Sequence, residues 1–133
     1  MINIGNLGDV NARHELEFMK QIKHPNVVTC IHHEYLGDKK DILHIYMPYY
    51  SNSDLHNYLS KNDLTLGDKI RMFIDILVGL QQLHSRFVIH RDIKLKNIFV
   101  DEDKRCVVGD LGISTSSLDT AKSQVGTYCF NAP

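Results

Sequence analysis

Hydrophobic residues recur at helical spacing in two segments of the chain. Residues 10–23 form the first segment, and Pro25 ends it because proline cannot continue a helix. Residues 66–85 form the second, with Thr65 and Asp68 at its start in the spacing of a capping box. The apolar positions are Leu16, Met19 and Ile22 in the first segment and Ile70, Phe73, Ile74, Leu77, Leu80 and Leu83 in the second. The pattern therefore predicts two amphipathic helices.

Strand-forming residues are concentrated between these two helices. Residues 27–35 and 41–47 are rich in β-branched and aromatic side chains, and the residues between them resemble a hairpin turn. Pro48 ends the second strand, since proline cannot donate to a sheet. A short helix is predicted over residues 54–60, with Ser53 as its N-cap.

The remaining segments have weaker patterns. Residues 1–9 are rich in glycine and asparagine, which predicts a loop. Short β segments are expected at 88–89, 98–100 and 106–108, and strand character is expected to end there. Residues 109–133 are rich in Gly, Ser and Thr, and so long a loop is usually functional. Helices together with short antiparallel strands indicate the α+β class.

Composition restricts the class of protein and its partners. The chain has 133 residues, 43% of them hydrophobic, which suits one small domain or a piece of a larger one. A net charge of −1 gives no electrostatic reason to expect nucleic acid or an anionic membrane as partner. Three widely spaced cysteines favour free thiols in a reducing, intracellular compartment, cytoplasmic or nuclear. The adjacent His32 and His33 favour strand-flanking polar residues over a metal site.

Three motifs carry the candidate chemistry. Residues 90–97 read His-Arg-Asp-Ile-Lys-Leu-Lys-Asn, residues 110–112 read Asp-Leu-Gly, and residues 125–133 read Val-Gly-Thr-Tyr-Cys-Phe-Asn-Ala-Pro. In order and spacing they resemble the catalytic loop, the magnesium loop and the end of the activation segment of eukaryotic-type serine/threonine protein kinases. A chance assembly of the same motifs is a much weaker explanation.

The resemblance implies a kinase-like α+β fold that is only partly present. It covers residues from about 10 to 133. Residues 1–47 would be the remnant of a small lobe built from a helix and antiparallel strands. Residues 48–53 would form the hinge, and residues 54–133 would begin the helical large lobe and run through the activation segment. Part of the apolar face of helix 66–85 is then expected to be exposed.

The family's catalytic roles fall on five residues. Asp92 would orient the substrate hydroxyl and accept its proton, and Lys94 would balance charge near the transferred phosphoryl group. Asn97 and Asp110 would supply oxygen ligands to Mg²⁺. Thr127 resembles the threonine that hydrogen-bonds the catalytic aspartate and lysine in serine/threonine kinases.

The resemblance also implies a regulatory phosphate. Arg91 would bind a phosphate on the activation segment through charge-assisted hydrogen bonds. Ser123 is the first candidate phosphoacceptor and Thr120 the second. For either residue alone, a polar loop position is the competing explanation.

Residues 42–55 resemble the strand, hinge and helix that hold the adenine of ATP. Met47 would be the gatekeeper, Pro48 would offer a backbone carbonyl and Tyr50 a backbone amide to the base. Asp54 would bond the ribose hydroxyls, and Phe99 would pack beneath adenine, although core packing explains Phe99 equally well. Four residues would stack into the column that joins the two lobes: His90, Leu111, Met19 and Cys30.

The small-lobe helix carries one further candidate. Glu15 lies ten residues before Pro25, where it resembles the glutamate that pairs with the ATP-binding lysine. No Val-Ala-Ile-Lys strand precedes it, residues 5–8 lack the pattern of a Gly-rich phosphate loop, and Lys20 and Lys23 are too close along the chain to replace that lysine.

The closest resemblance within the family is to the NIMA-related (Nek) kinases. Leu95 and Lys96 depart from the common Pro-Glu pair, which concerns substrate preference more than chemistry. Two readings of function follow. The chain is a piece of a serine/threonine kinase that uses ATP and Mg²⁺ on protein substrates, or it is a catalytically inactive, kinase-like binding fragment.

Overall fold

The computed structural model describes residues 2–6, 10–37, 42–111 and 115–116. The elements in chain order are β1 Ile2–Asn6, α1 Val10–Gln21, β2 His32–Leu36, β3 Ile42–Tyr46, α2 Leu55–Lys61, α3 Leu66–His84, β4 Val88–Ile89, a 3₁₀ turn at Leu95–Asn97, β5 Ile98–Val100, β6 Cys106–Val108 and β7 Thr115–Ser116. None of the described helices is long and apolar enough to cross a bilayer.

The first half of the chain is a three-stranded antiparallel sheet with one helix. The strand order is β1-β3-β2, and His32 pairs with Tyr46 in the β2–β3 ladder. Along β3, Leu43 and Ile45 are buried while the alternate residues are more exposed, as a strand with one covered face requires. Leu16 and Met19 of α1, and Ile22 directly after the helix, join the same buried cluster. The helix and the second strand were therefore predicted correctly.

The loop expected at residues 1–9 is wrong, because Ile2–Asn6 forms strand β1. It pairs antiparallel with β3, with Ile2 opposite Ile45 and Ile4 opposite Leu43, and the register shifts between Ile4 and Asn6. Glycine and asparagine lower strand propensity, but the alternating isoleucines match the apolar positions of β3. Pairing with a distant strand outweighs the local composition.

Two other strand boundaries also differ from expectation. The segment predicted as a strand over 27–35 forms β2 only at His32–Leu36, because the backbone of Val28 bonds instead to Val108 in β6 at 2.8 Å. Strand character does not end at Val108, since β7 at Thr115–Ser116 pairs with β4. The hydrophobic pattern of a segment does not show which distant strand it will pair with.

The second half is built around α3, which packs against β4 and β6. The predicted capping box is present: the Thr65 side chain accepts from the backbone of Asp68, and the Asp68 side chain accepts from the backbone of Thr65. Met72, Gly79 and Leu83 are buried on the inner face. Part of the apolar face is exposed, as expected, at Leu66, Ile70, Phe73, Ile74 and Leu77.

The turn after α1 joins the two halves. The Asn26 side chain donates to Cys106 O at 2.9 Å, and Asn26 O accepts from Val108 N at 2.9 Å. At the end of α1, Gln21 O accepts from Arg86 Nη1 at 3.1 Å. These bonds hold the helix that carries Glu15 against the half that carries the 90–97 motif.

Candidate active site

His90 connects the two acidic motifs. Its ring is 2% exposed, Nε2 lies 2.7 Å from Gly109 O, and the Asp92 N–H points to Nδ1 at 3.3 Å. A carbonyl can only accept and an amide N–H can only donate, so we assign the neutral ring with its proton on Nε2. Burial lowers the pKa of His90, against opposing effects from the Gly109 carbonyl and the Asp110 and Asp92 carboxylates.

Asp92, Lys94 and Asn97 form one hydrogen-bonded group. Asp92 Oδ2 accepts from Lys94 Nζ at 2.5 Å and from Asn97 Nδ2 at 2.9 Å, and Asn97 Nδ2 also lies 2.9 Å from Asp92 O. Asp92 and Asn97 are buried, and the Lys94 side chain is 26% exposed. The loop closes through Asn97 N donating to Lys94 O at 2.9 Å. A carboxylate at the edge of solvent is thus held in one orientation by two donors.

Asp110 is positioned by the residue before it. Gly109 N donates to Asn97 O at 2.9 Å, and Gly109 O lies 2.7 Å from His90 Nε2, so both backbone polar groups of Gly109 are tied to the 90–97 segment. Asp110 is exposed and has φ of 56°, and Arg91 has φ of 70°. Left-handed backbone at a non-glycine residue carries strain and often occurs at functional sites.

Asn97 and Asp110 carry oxygen donors of the kind that a magnesium ion prefers. The Asn97 side chain bonds to Asp92 through its amide nitrogen, so that bond does not use its amide oxygen. The Asp110 carboxylate follows shortly after the end of strand β6. Mg²⁺ prefers oxygen ligands and usually keeps several waters, so two protein ligands suit it. In the family these ions accompany ATP.

The five residues expected to surround adenine line one cleft. Met47, Pro48, Tyr50, Asp54 and Phe99 surround a space of about 260 Å³, together with Tyr49 and Ser53. The rings of Tyr50 and Phe99 are stacked, with centroids 5.0 Å apart and planes within 4°. Burial, together with the charge of Asp101, raises the pKa of Tyr50 to about 12. Tyr50 O accepts from Ser53 N at 3.0 Å, so the hinge turn uses the carbonyl of Tyr50 and not its amide.

Asp54, and not Ser53, is the N-cap of α2. Its carboxylate accepts from Asn57 N at 2.8 Å and from Asn57 Nδ2 at 2.6 Å, while Ser53 has φ of 65°. Burial acts to raise the pKa of Asp54, but the bonds from Asn57 outweigh it and lower that pKa. Both residue types cap helices well, so composition alone could not choose between them. If Asp54 binds the ribose hydroxyls as expected, it must do so with a carboxylate that already accepts hydrogen bonds from Asn57.

Glu15 is not a solvated acid of a helix face, since it is only 6% exposed. Lys20 pairs with Glu17 at 3.1 Å, which agrees with the expectation that Lys20 does not serve Glu15. The strand before α1, β1, reads Ile-Asn-Ile-Gly-Asn and contains no lysine.

Some expected residues lie outside the described part of the chain, namely Thr127, Ser123 and Thr120. Arg91, which was expected to bind a phosphate on the activation segment, is half-buried. Of the four column residues, His90, Leu111 and Met19 are buried, and Cys30 is partly exposed and packs against the same cluster. The Cys30 thiol donates to His32 O at 3.1 Å.

Sequence reasoning missed the structural part played by Gly109 and the ring of Tyr50. A Cβ at Gly109 would lie 2.4 Å and 2.7 Å from two carbons of the Phe99 ring, so only glycine allows this approach. The available signal was a glycine directly before the acidic motif. Nothing in the sequence indicates that Tyr50 stacks on Phe99, because the two are far apart along the chain.

The burial of neutral His90 predicts a loss of stability in mild acid. Its pKa is lower in the folded state, so the unfolded chain binds a proton first as the pH falls below the ordinary value of 6.5. The free energy of unfolding should therefore decrease as the pH falls from about 7.5 to 5.5. Urea unfolding at several pH values measures this, and His90→Phe should flatten the slope. Equal slopes in the two proteins would contradict the prediction.

Comparison with known proteins gives the same family. The model for the protein kinase domain matches residues 3–133. The chain is 33% identical to serine/threonine-protein kinase Nek8 of Danio rerio over 92% of its length. It is 35% identical to serine/threonine/tyrosine-protein kinase HT1 of Arabidopsis thaliana over 90%, and 32% identical to serine/threonine-protein kinase Nek4 of Mus musculus over 92%.

The matched regions are small parts of those kinases. The chain spans 18% of the length of Nek8, 31% of HT1 and 16% of Nek4. Its α+β arrangement of helices and small antiparallel sheets is that of part of a kinase domain. The chain therefore belongs to the protein kinase domain family, with serine/threonine kinases of the Nek group among its relatives.

Proposed function

We propose that this protein is a serine/threonine kinase that transfers the γ-phosphoryl group of ATP to Ser and Thr hydroxyls of other proteins. The observation that carries the proposal is the group formed by Asp92, Lys94 and Asn97, with bonds of 2.5 Å and 2.9 Å to one carboxylate oxygen. Phosphoryl transfer depends mostly on positioning and charge neutralisation, which this group can supply.

Each member of the group has a separate task in the proposed reaction. Asp92 orients the substrate hydroxyl and receives its proton. Lys94 pairs with the carboxylate in this structure and would balance charge on the transferred group. Asn97 fixes the carboxylate through its amide nitrogen and offers its oxygen toward Mg²⁺. Thr127 would add a hydrogen bond to Asp92 and Lys94.

The nucleotide would occupy the cleft beside the hinge. Met47 borders it, Pro48 offers a carbonyl, Tyr50 offers its amide and Phe99 forms the floor. Asp54 faces the same cleft while it caps α2. When bound, Mg²⁺ held by Asn97 and Asp110 would neutralise the phosphates of ATP. Glu15 would stabilise the small-lobe side of the site.

Organisation and regulation follow the family. We assign residues 1–47 to the small lobe, 48–53 to the hinge and 54–133 to the beginning of the large lobe. Arg91 would bind a phosphate on Ser123 or Thr120. Cys30 and Cys106 are free thiols, which suits a reducing compartment in the cytoplasm or nucleus.

One observation favours a second candidate function. Strand β1, which precedes the helix of Glu15, has no lysine to hold the phosphates of ATP. A chain with this strand could bind kinase partners or substrates without catalysis. Phosphotransfer by the isolated chain would then be weak or absent.

A direct assay separates the two candidates. The purified protein is incubated with ATP, Mg²⁺ and matched peptides that contain one Ser, Thr or Tyr, and products are identified by mass spectrometry. We expect phosphoserine and phosphothreonine that EDTA abolishes. A non-hydrolysable ATP analogue serves as the control. Phosphotyrosine alone would reject the serine/threonine specificity. Absence of any product, with confirmed peptide binding, would reject the kinase function and favour the second candidate.

Substitution of Gly109 tests the nucleotide cleft. In Gly109→Ala the new Cβ must displace the Phe99 ring, which lines the cleft and stacks on Tyr50, because two ring carbons lie within 2.7 Å of it. Overpacking of this kind costs about 1–3 kcal/mol, so we expect nucleotide affinity to fall roughly tenfold. Isothermal titration calorimetry measures the affinity. The double variant Gly109→Ala/Phe99→Leu should recover part of it, and unchanged affinity in Gly109→Ala would contradict the arrangement.

A further inference from the structure

Lys96 is an exposed cation in the turn that carries the catalytic group. It lies in the 3₁₀ turn Leu95–Asn97 and forms no ion pair with any residue that the structure describes. Lys94, two residues earlier, is different because its ammonium is bound to Asp92 at 2.5 Å. Lys94 therefore has an ion-pair partner within the chain, Asp92, whereas the charge of Lys96 has no such partner among the described residues.

The position of Lys96 is fixed by its neighbour. Asn97 donates to Asp92 Oδ2 at 2.9 Å and its backbone N donates to Lys94 O at 2.9 Å. Consecutive Cα atoms are about 3.8 Å apart, so the Lys96 Cα is next to the residue that contacts Asp92. A lysine stem is long and flexible, and an extended peptide advances about 3.3 Å per residue. The ammonium can thus reach side chains within about three residues of a hydroxyl placed at Asp92.

Among the described residues, no acidic side chain near the turn forms an ion pair with Lys96. Helix α2, which packs against this turn, has no acidic residue between Leu55 and Lys61 and has Lys61 in its last turn. The cap residue Asp54 is engaged by Asn57. Asp63 lines an apolar pocket together with Leu95, and Lys69 lines the same pocket.

We infer that Lys96 makes the protein prefer phosphoacceptor sites that have an aspartate or glutamate within three residues of the Ser or Thr. This inference rests on the proposed kinase function and names its substrate class. An acidic side chain of the substrate near its Ser or Thr hydroxyl would be attracted to the Lys96 ammonium, whereas a basic side chain there would be repelled. The interaction is exposed, so the preference should weaken as salt concentration rises.

The experiment compares peptides that differ at one position. Serine peptides carry Glu, Gln or Lys at each position from −3 to +3, and both kcat/KM and binding affinity are measured, the latter by fluorescence anisotropy of labelled peptides without ATP. The wild-type protein should favour Glu over Gln about threefold at one or more positions, as exposed ion pairs allow. Lys96→Glu should reverse the preference and favour Lys. Lys23→Glu, an exposed site on the other half of the chain, should leave the ratio unchanged.

Each result decides one question. Equal use of Glu and Gln by an active protein, or the same ratio in Lys96→Glu as in wild type, overturns the role of Lys96 and leaves the kinase function intact. Absence of phosphotransfer with tighter binding of Glu peptides rejects the kinase function and supports acidic recognition by Lys96. A reversal in Lys23→Glu as large as that in Lys96→Glu would also overturn the inference, because net charge alone would explain it.

Discussion

Asp92→Asn should lower kcat for phosphotransfer by about 10³-fold, within the range of about 10²–10⁴ that a general base contributes. An asparagine keeps the shape of the side chain but cannot accept the proton of a hydroxyl. It also removes the negative charge that Lys94 Nζ contacts at 2.5 Å. The loss should appear in kcat, while affinity for nucleotide should change much less because Asp92 does not line the hinge cleft.

The assay needs a control for charge and for folding. Asp103→Asn removes a carboxylate from an exposed turn where it pairs with Arg105, so its kcat should stay close to that of the wild type. Circular dichroism should show the same helical content in all three proteins. If Asp92→Asn keeps kcat within tenfold of wild type while folded, Asp92 is not the proton acceptor and the central assignment fails.

Local signals predicted the helices well because helix formation depends on neighbours in sequence. Thr65 and Asp68 cap each other across one turn, and both partners are visible in a four-residue window. The apolar face of the first helical segment follows from spacing alone, and Leu16, Met19 and Ile22 are each 1% exposed. Ser53 and Asp54 are adjacent, and both residue types cap helices well, so the local sequence does not show which of them is the N-cap. The prediction of Ser53 was off by one residue.

Pairing between distant segments was less predictable. Val28 has the composition of a strand residue, but its backbone bonds to Val108 and not to the neighbouring sheet. Ile2–Asn6 has the composition of a loop, yet it pairs along β3. In both cases the partner lies far along the chain, and residue type carries little information about which edge will be available.

In the candidate site, too, the residues of a local motif were predictable and the contacts between distant segments were not. The motif 90–97 identifies Asp92, Lys94 and Asn97, and the structure brings their side chains into contact. The contacts that hold the motif in place, from His90 and Asn97 to Gly109, are made partly by backbone atoms. Backbone atoms are common to all residues, so sequence reveals them only where a glycine marks a close approach.

Gly79→Ala should destabilise the protein by about 2 kcal/mol, although alanine is the better helix former by about 1 kcal/mol. Gly79 lies in the middle of α3 against the turn that joins the two halves. An added Cβ would lie 2.4 Å from Asn26 O and 2.8 Å from Val108 Cγ2. Asn26 O already accepts from Val108 N at 2.9 Å, so the turn cannot retreat without breaking a bond of the joint.

Gly67→Ala provides the matched control within the same helix. Its Cβ would meet only Thr65 Oγ1, at 3.7 Å, and the position is exposed. There the propensity term acts alone, so stability should stay equal or rise by up to about 1 kcal/mol. Urea unfolding followed by circular dichroism measures both variants against wild type. If Gly79→Ala were as stable as Gly67→Ala, α3 would not approach the Asn26 turn as closely as the structure has it.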